Sequence, residues 1–324
     1  MKAIVVRQFG PPEVMKLEDA SEPKPGDGQV VVRLRAAGVN PVDAYVRSGT
    51  YALKPPLPYT PGMDGAGVVE SLGENVIDLK VGDRVWISGT AAGRLMGAYA
   101  ERAVCDAAAV HRLPEALSFA QGAAVNVAYV TAQRALFDRA KTRPGEIVLV
   151  HGGTGGVGLA AVQLAAAHGA IVLATGGTEA GRTLAKDNGA AHVFDHNSPD
   201  YRQNILEATT GKGVDVVIEM LANVNLDHDL GLVGQSGRVV IVGNRGRVEI
   251  DPRQMMGKET TITSLTYWSG GDTAVQHAIA AISAGLFSGA LKPAVGPTFP
   301  LADAAKAHDK VLENGALGKV VLEM

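Results

Sequence analysis

The sequence predicts an α/β protein, a doubly wound parallel sheet preceded by an antiparallel β-barrel-like domain. Three observations carry this. The run EIVLV at 146–150 is followed by HGGTGGVG at 151–158 and LAAVQLAAAHG at 159–169, which reads as strand, glycine turn and helix. Further strands and helices alternate after it, the pattern of a parallel sheet. Before residue 120 the rhythm differs, with short strands punctuated by Gly, Pro and Asp, as in a barrel or sandwich.

In order, MKAIVVRQFG at the start reads as a strand, and further strands are expected at 30–36, 66–72 and 83–87. PKPGDG, KPPLPYTPG and KVGD separate them as turns. Strands are then expected at 146–150, 170–175, 214–219, 238–242 and 261–265, with helices at 156–167, 179–187, 200–209 and 225–233. The tail reads as a helix at 272–285, a loop around Lys292-Pro293, a helix at 301–313 and a strand at 318–323. A strand at each end is most simply explained if the tail rejoins the first domain. The expected division is therefore 1–122 with 268–324, against 123–267 for nucleotide binding.

At 324 residues the chain exceeds a typical single domain, and 46% hydrophobic with 19% charged residues supports a sizeable core. A formal charge of −3 offers no global attraction to nucleic acid or anionic membrane. Cys105 is the one cysteine, which forbids an intrachain disulfide and suits a reducing cytosol. The start lacks the apolar core and cleavage pattern of a leader. The most apolar stretch, 159–175, contains Gln163, His168 and Gly169, so it reads as helix plus strand and not as a membrane span. A cytoplasmic protein is expected.

The glycine loop states the chemistry. Glycines let the backbone turn tightly and approach a pyrophosphate, whose charge sits on the free N–H groups of the following helix. With both flanks correct, 151–158 is a dinucleotide site in a Rossmann-type domain. The strings AAGVNPVDAYVRSGTY at 36–51, LPYTPGMDGAG at 57–67, LVHGGTGGVGLAA at 149–161, VIEMLANVNL at 217–226, GRVVIVGNRG at 237–246 and EIDPRQMMGKE at 249–259 extend the evidence. On them the chain resembles the medium-chain dehydrogenase/reductase superfamily, and within it the zeta-crystallin-like quinone oxidoreductases. The resemblance implies a GroES-like first domain, NADPH as cofactor, no zinc and a small-molecule quinone substrate. Some members have a reported side role in binding AU-rich RNA.

Many enzymes of that superfamily hold catalytic zinc. Where those carry a ligand cysteine this chain has Asn40, and where they carry a ligand histidine it has Met63. Neither is a zinc ligand, and a single cysteine cannot build a structural site. Without metal, carbonyl polarisation falls to hydrogen bonds. The resemblance puts Asn40 and Tyr45 toward the nicotinamide and substrate, with Tyr51 at the pocket edge. An amide and a phenol can donate to an oxygen that gains charge on reduction. The plainer alternative is that both tyrosines pack between the domains.

The second strand ends LATGGT at 173–178 without the carboxylate that marks NAD-specific sites, which favours NADPH. The resemblance places Gly177 and His196 against the 2′-phosphate. Some relatives have lysine where this chain has Gly181, and Arg182 or Lys186 is expected to replace its charge. Gly152, Thr154, Gly155, Gly156, Val157 and Gly158 are assigned to the pyrophosphate loop. Asn225, Val242, Gly243, Asn244 and Arg245 carry over as further cofactor contacts, and Leu265, Thr266 and Tyr267 as the segment beside the nicotinamide. The longer stretch 88–98 is expected to border the substrate mouth. The expected activity is quinone reduction. Enone or enal reduction and a non-catalytic NADPH- or RNA-binding role are the alternatives. A homodimer or homotetramer is expected by analogy, with 261–266 as the pairing edge.

Overall fold

The computed structural model describes residues 1–315 and 317–324, so Ala316 of the expected tail domain lies outside them. The chain forms two compact units, residues 1–127 with 292–313 and 318–324, and residues 128–291 with 314–317.

In the first unit β1 (Lys2–Val6) and β2 (Met15–Asp19) form an antiparallel hairpin. The main sheet is built on β3 (Gln29–Gly38), which pairs antiparallel with β4 (Asp64–Leu72). Along β3 the side chains of Val32, Leu34 and Ala36 are buried while Arg33 and Arg35 are exposed, the alternation of a strand with one covered face. β5 (Arg84–Ile87), β6 (Arg102–Asp106) and β7 (Val110–Arg112) add to it, β5 on β4, β6 on β3 and β7 on β5. Between β3 and β4 stands α1 (Pro41–Arg47), and α2 (Phe119–Ala123) and α3 (Asn126–Gln133) lead out of the sheet.

In the second unit β8 (Ile147–Val150), β9 (Ile171–Thr175), β10 (His192–Phe194), β11 (Val214–Glu219), β12 (Val233–Ile241) and β13 (Thr261–Ser264) form one parallel sheet. Its spatial order is β10-β9-β8-β11-β12-β13, so the winding reverses between β8 and β11. The crossovers are α4 (Gly156–Ala167), α5 (Glu179–Asp187), α6 (Tyr201–Ala208), α7 (Ala222–Leu232) and the short α8 (Pro252–Met256). A six-residue π-helix, Arg134–Arg139, continues α3, and α9 (Gly271–Phe287) packs against it.

The chain then returns to the first unit through β14 (Val295–Pro300), α10 (Ala304–Lys310) and β15 (Lys319–Glu323). β15 pairs antiparallel with β3, Val321 opposite Gly38, and β14 lies parallel to β15. The tail rejoins the first sheet as expected.

Several boundaries differ from the sequence reading. Residues 268–291 belong with the nucleotide unit, because α9 packs on the π-helix. The helix expected at 225–233 begins at Ala222, and β12 begins at Val233 instead of 238. A register shift between Val214 and Val216 lets β11 start pairing early. The intervening Ser236 at φ 56° disguises the strand as a turn. The helix expected at 301–313 is a 3-10 turn, Leu301–Asp303, followed by the shorter α10. Among the described residues no helix is long and apolar enough to cross a membrane.

Candidate active site

In the first unit the expected substrate segment begins as the helix α1. Asn40 is its N-cap and Pro41 occupies the first helical position, where its missing N–H costs nothing. Asp43 reaches back to accept from the Asn40 N–H at 2.9 Å, half of a capping box. Buried Asp43 also accepts from the Tyr99 hydroxyl at 3.2 Å. Burial pushes its carboxyl up to about 7, and the Asp64 charge adds to the shift.

Asn40 is 4% exposed and its side chain is fully engaged. The amide donates to Asp64 Oδ2 at 2.9 Å and more weakly to Asp43 Oδ2 at 3.4 Å, while its oxygen accepts from Lys319 Nζ. Lys319 Nζ also donates to Asp64 Oδ2 at 2.7 Å. The other oxygen of Asp64 accepts from Asn126 Nδ2 at 3.0 Å and from the Val127 N–H at 3.1 Å. The donors of Asn40 thus hold the base of α1 inside a buried ionic network.

Tyr45 and Tyr51 are half-buried, and neither hydroxyl has a hydrogen-bond partner among the described residues. The Tyr45 carbonyl accepts from the Thr50 and Tyr51 N–H groups at 3.1 and 3.2 Å, so the turn ending α1 brings the second tyrosine back beside the first. The stretch 88–98 borders a groove of about 520 Å³ with Pro58, Tyr59 and Arg102, and neither Tyr45 nor Tyr51 lines it.

In the second unit the expected cofactor residues follow the carboxyl ends of parallel strands, at one edge of the sheet. Such crevices at a reversal of winding bind ligands in open α/β sheets. Gly153, Gly155 and Gly158 stand in G-x-G-x-x-G spacing. A Cβ on Gly158 would lie 2.1 Å from the Gly152 carbonyl, so only glycine lets α4 pack this close to the loop. Gly155 caps α4 without a side-chain bond, which leaves the first-turn N–H groups near Gly156 and Val157 for an anion. Gly152 takes φ 60°, and the Gly153 N–H donates to the Thr175 carbonyl at 2.9 Å. Thr154 is buried, its methyl filling space left by Gly176 and Gly181. The loop fits a pyrophosphate.

Beyond β9, Thr178 caps α5 by accepting from the Gly181 N–H at 3.1 Å. A Cβ on Gly177 would stand 2.7 Å from His196 Nε2, so the imidazole lies over the bare glycine. Partial burial keeps the His196 pKa below its ordinary value, with His151 and Arg182 acting against the pull of Asp195. Arg182 pairs with Asp195 at 2.9 Å and donates to the Gly176 carbonyl at 3.2 Å. Sequence reasoning missed Asp195, which arrives from the neighbouring strand and occupies the charge proposed for the phosphate. Lys186 is exposed on α5.

The remaining loops are tied together. Val242 and Gly243 donate to the Glu219 carbonyl at 2.9 and 3.2 Å, and the Arg245 N–H donates to Asn223 Oδ1 at 2.9 Å. Asn244 Nδ2 donates to the Gly246 carbonyl at 2.7 Å, and Asn225 Nδ2 to Glu219 Oε1 at 3.1 Å. Leu265 and Tyr267 are buried and Thr266 is exposed. Arg134, 2% exposed, donates to the Thr266 and Tyr267 carbonyls at 2.9 and 2.6 Å. Its place at the start of a π-helix was not visible in the sequence.

His151, Glu219 and Asp229 gather one ligand-type atom each within 4.8 Å. Distance alone would admit a cation. Both ring nitrogens are already engaged, Nε2 by Asp229 at 2.9 Å and Nδ1 by Thr175 Oγ1 at 3.3 Å, so the arrangement is an ion pair beside a second carboxyl.

Two family models match the chain: an alcohol dehydrogenase GroES-like domain over residues 26–115 and a zinc-binding dehydrogenase over 156–284. A quinone oxidoreductase from Sus scrofa is 49% identical, covering 99% of this chain and 97% of its own length. The chain belongs to the quinone oxidoreductase family. Solved structures agree with that family fold. The NADPH complex of the Escherichia coli quinone oxidoreductase superposes with TM-score 0.86 at 29% identity, covering 100% of both chains. An NAD-dependent alcohol dehydrogenase superposes with TM-score 0.93 at 32% identity, also over 100% of both chains.

Proposed function

We propose that this chain is an NADPH-dependent quinone oxidoreductase that needs no metal, works in the cytosol and assembles as a homodimer or homotetramer. The observation that carries the reading is the glycine loop at the reversal of the sheet, with Gly177 and His196 beside the expected place of a 2′-phosphate. NADPH supplies the hydride of such a reaction from its nicotinamide C4. Gly156 and Val157 hold the pyrophosphate by their N–H groups, helped by the α4 dipole. Arg182 and His196 border the 2′-phosphate. Asn225, Val242, Gly243, Asn244 and Arg245 line the ribose and pyrophosphate path, and Leu265, Thr266 and Tyr267 lie beside the nicotinamide.

Tyr45 offers a flat apolar face and a phenol hydrogen-bond donor to a quinone oxygen that gains charge. Tyr51 borders the same ligand. Asn40 acts from behind, holding the start of the helix that carries Tyr45. Water supplies the one proton that, with the hydride, completes the hydroquinone. Zinc does not fit the first unit: at the two former ligand positions stand Asn40 and Met63, and the Lys319 ammonium already occupies the network. A single buried thiol, Cys105, pushed up to about 12 by burial, suits a reducing compartment. For assembly, β13 is one of the two edges of the six-stranded sheet, opposite β10, and offers unpaired backbone groups to a second copy.

A turnover panel tests the reading, with NADPH and NADH each set against an ortho-quinone and a simple enone. NADPH with the quinone is expected to be fastest. Faster enone turnover would make the chain an alkenal reductase. NADPH consumption that no acceptor accelerates would favour a binding role. Sedimentation at a mass near 33.5 kDa would contradict assembly.

A further inference from the structure

Beneath the glycine loop lies a sealed cluster that the proposed reaction does not use. His151, Glu219 and Asp229 are 3%, 0% and 0% exposed. His151 ends β8 and pairs with Asp229 of α7 at 2.9 Å, while Glu219, the last residue of β11, stands 3.9 Å from the same Nε2. Each member also holds a cofactor loop. His151 shares Thr175 Oγ1 with the Gly152 N–H, which donates at 3.2 Å. The Glu219 carboxyl accepts from the Leu221 N–H and from Asn225 Nδ2, and its carbonyl accepts from Val242 and Gly243. One cluster thus fixes the turns after β8, β9, β11 and β12.

Two carboxylates and one imidazolium carry a net negative charge, which is costly without water. A proton on one carboxyl makes the set neutral. Asp229 is committed to His151, and Glu219 accepts from amide donors that a neutral carboxyl also satisfies. Burial pushes Glu219 up to about 7, opposed by His151 and assisted by Asp229. Burial would strip His151 of its proton, but Asp229 and Glu219 together hold its pKa above the ordinary value. The other titratable or charged groups facing the cluster are Tyr201 of α6, which both carboxyls influence, and His196, with Asp195 and Arg182 beyond it.

Resting on the NADPH reading above, we propose that His151, Asp229 and Glu219 are positioning residues for the dinucleotide, and that the proton held on Glu219 sets its affinity. With the proton present, a neutral cluster supports a loop that receives an anionic pyrophosphate. With it lost, a buried negative charge beneath the loop opposes that anion. An uncompensated buried unit charge beneath the loop is expected to change binding by about tenfold.

The test is the dissociation constant of NADH and of NADPH, read by nicotinamide fluorescence from pH 5.5 to 8.5. NADH matters because it has no 2′-phosphate to titrate. The wild type is expected to bind both about tenfold more weakly at the alkaline end. Glu219→Gln, which stays neutral, is expected to flatten the profile near the wild type's acidic value. Asp229→Asn is expected to weaken binding across the range by freeing His151. A flat wild-type NADH profile overturns the proposal without any variant, as does a Glu219→Gln profile that still falls with pH. Failure of the wild type to bind either nucleotide at any pH would overturn the NADPH reading as well.

Discussion

Lys319 Nζ lies 2.7 Å from Asp64 Oδ2, and both side chains are almost wholly buried, at 4% and 0% exposure. The pair ties the final strand to the second long strand of the first sheet and leaves Asn40 as the link to α1. Removing one member of a buried pair strands the other charge, at a cost of about 3–5 kcal/mol. Lys319→Met is therefore expected to lower unfolding free energy by about that amount in urea titrations. Combining it with Asp64→Asn should recover part of the loss. Additive losses in that double-mutant cycle would show that the two groups do not interact.

Stability is expected to fall on both sides of mildly acidic pH. His111 and His308 are buried and pushed down to about 4 and about 3, chiefly by burial. The unfolded chain binds their protons first, so their contribution is full above about 6.5 and is lost as pH falls toward those values. Asp43 and Glu219 are each raised to about 7. The native state binds their protons first, so their contribution is full below about 4 and is lost as pH rises through 7. Melting scans from pH 4 to 9 should place the highest Tm between about 4.5 and 6.5. Asp43→Asn should flatten the alkaline limb, and an unchanged limb would refute the assignment.

Arg134→Lys keeps the charge but loses the rigid guanidinium, whose Nη1 donates to both carbonyls while Nε donates to Asp138. The segment 265–267 is expected to loosen, with the unfolding free energy lowered by about 1.5–3 kcal/mol. Thermal melts together with NADPH titration check this. Wild-type values for both would mean that the carbonyls of Thr266 and Tyr267 are held by something else.

Arg182→Glu is expected to weaken NADPH by more than about tenfold while leaving NADH little changed, since a charge-assisted bond is worth about 1.5–3 kcal/mol. Because Asp195 competes for the guanidinium, Asp195→Asn should tighten NADPH a few-fold. Equal losses of NADPH and NADH in Arg182→Glu would show that Arg182 never meets the phosphate, and Lys186 would take its place.

Local signals were legible and long-range ones were not. The loop at 151–158 could be read because strand, turn and helix are contiguous, and the boundaries of α4 and α5 match the reading residue for residue. The α1 helix carried a readable signal in Asn40, Pro41 and Asp43, the N-cap, first-turn and capping-box positions, but its seven residues look like a turn without those positions weighed. Lys319 and Asp64 are separated by 255 positions, and no periodicity marks such a pair. A lysine opening the apolar run KVVLE was the one hint, since a buried ammonium needs a partner. His151 sits in the most informative motif of the chain, yet its role depends on Asp229, which lies 78 residues away. Asp195 escaped for a similar reason: the absence of an acid after the second strand says nothing about one delivered by the third.

The pairing of β15 with β3 also bears on how the protein is made. The first sheet needs residues 319–323 beside residues 36–38, whereas the sheet of the second unit is complete once residue 264 has been synthesised. Domains generally form in the order in which they leave the ribosome. Here that order is inverted, because the amino-terminal unit must wait with β3 lacking one neighbour until the last strand emerges. A nascent chain stalled once residue 291 has cleared the ribosome, but before β15 has, should resist protease across the nucleotide unit and remain cleavable in the first 120 residues.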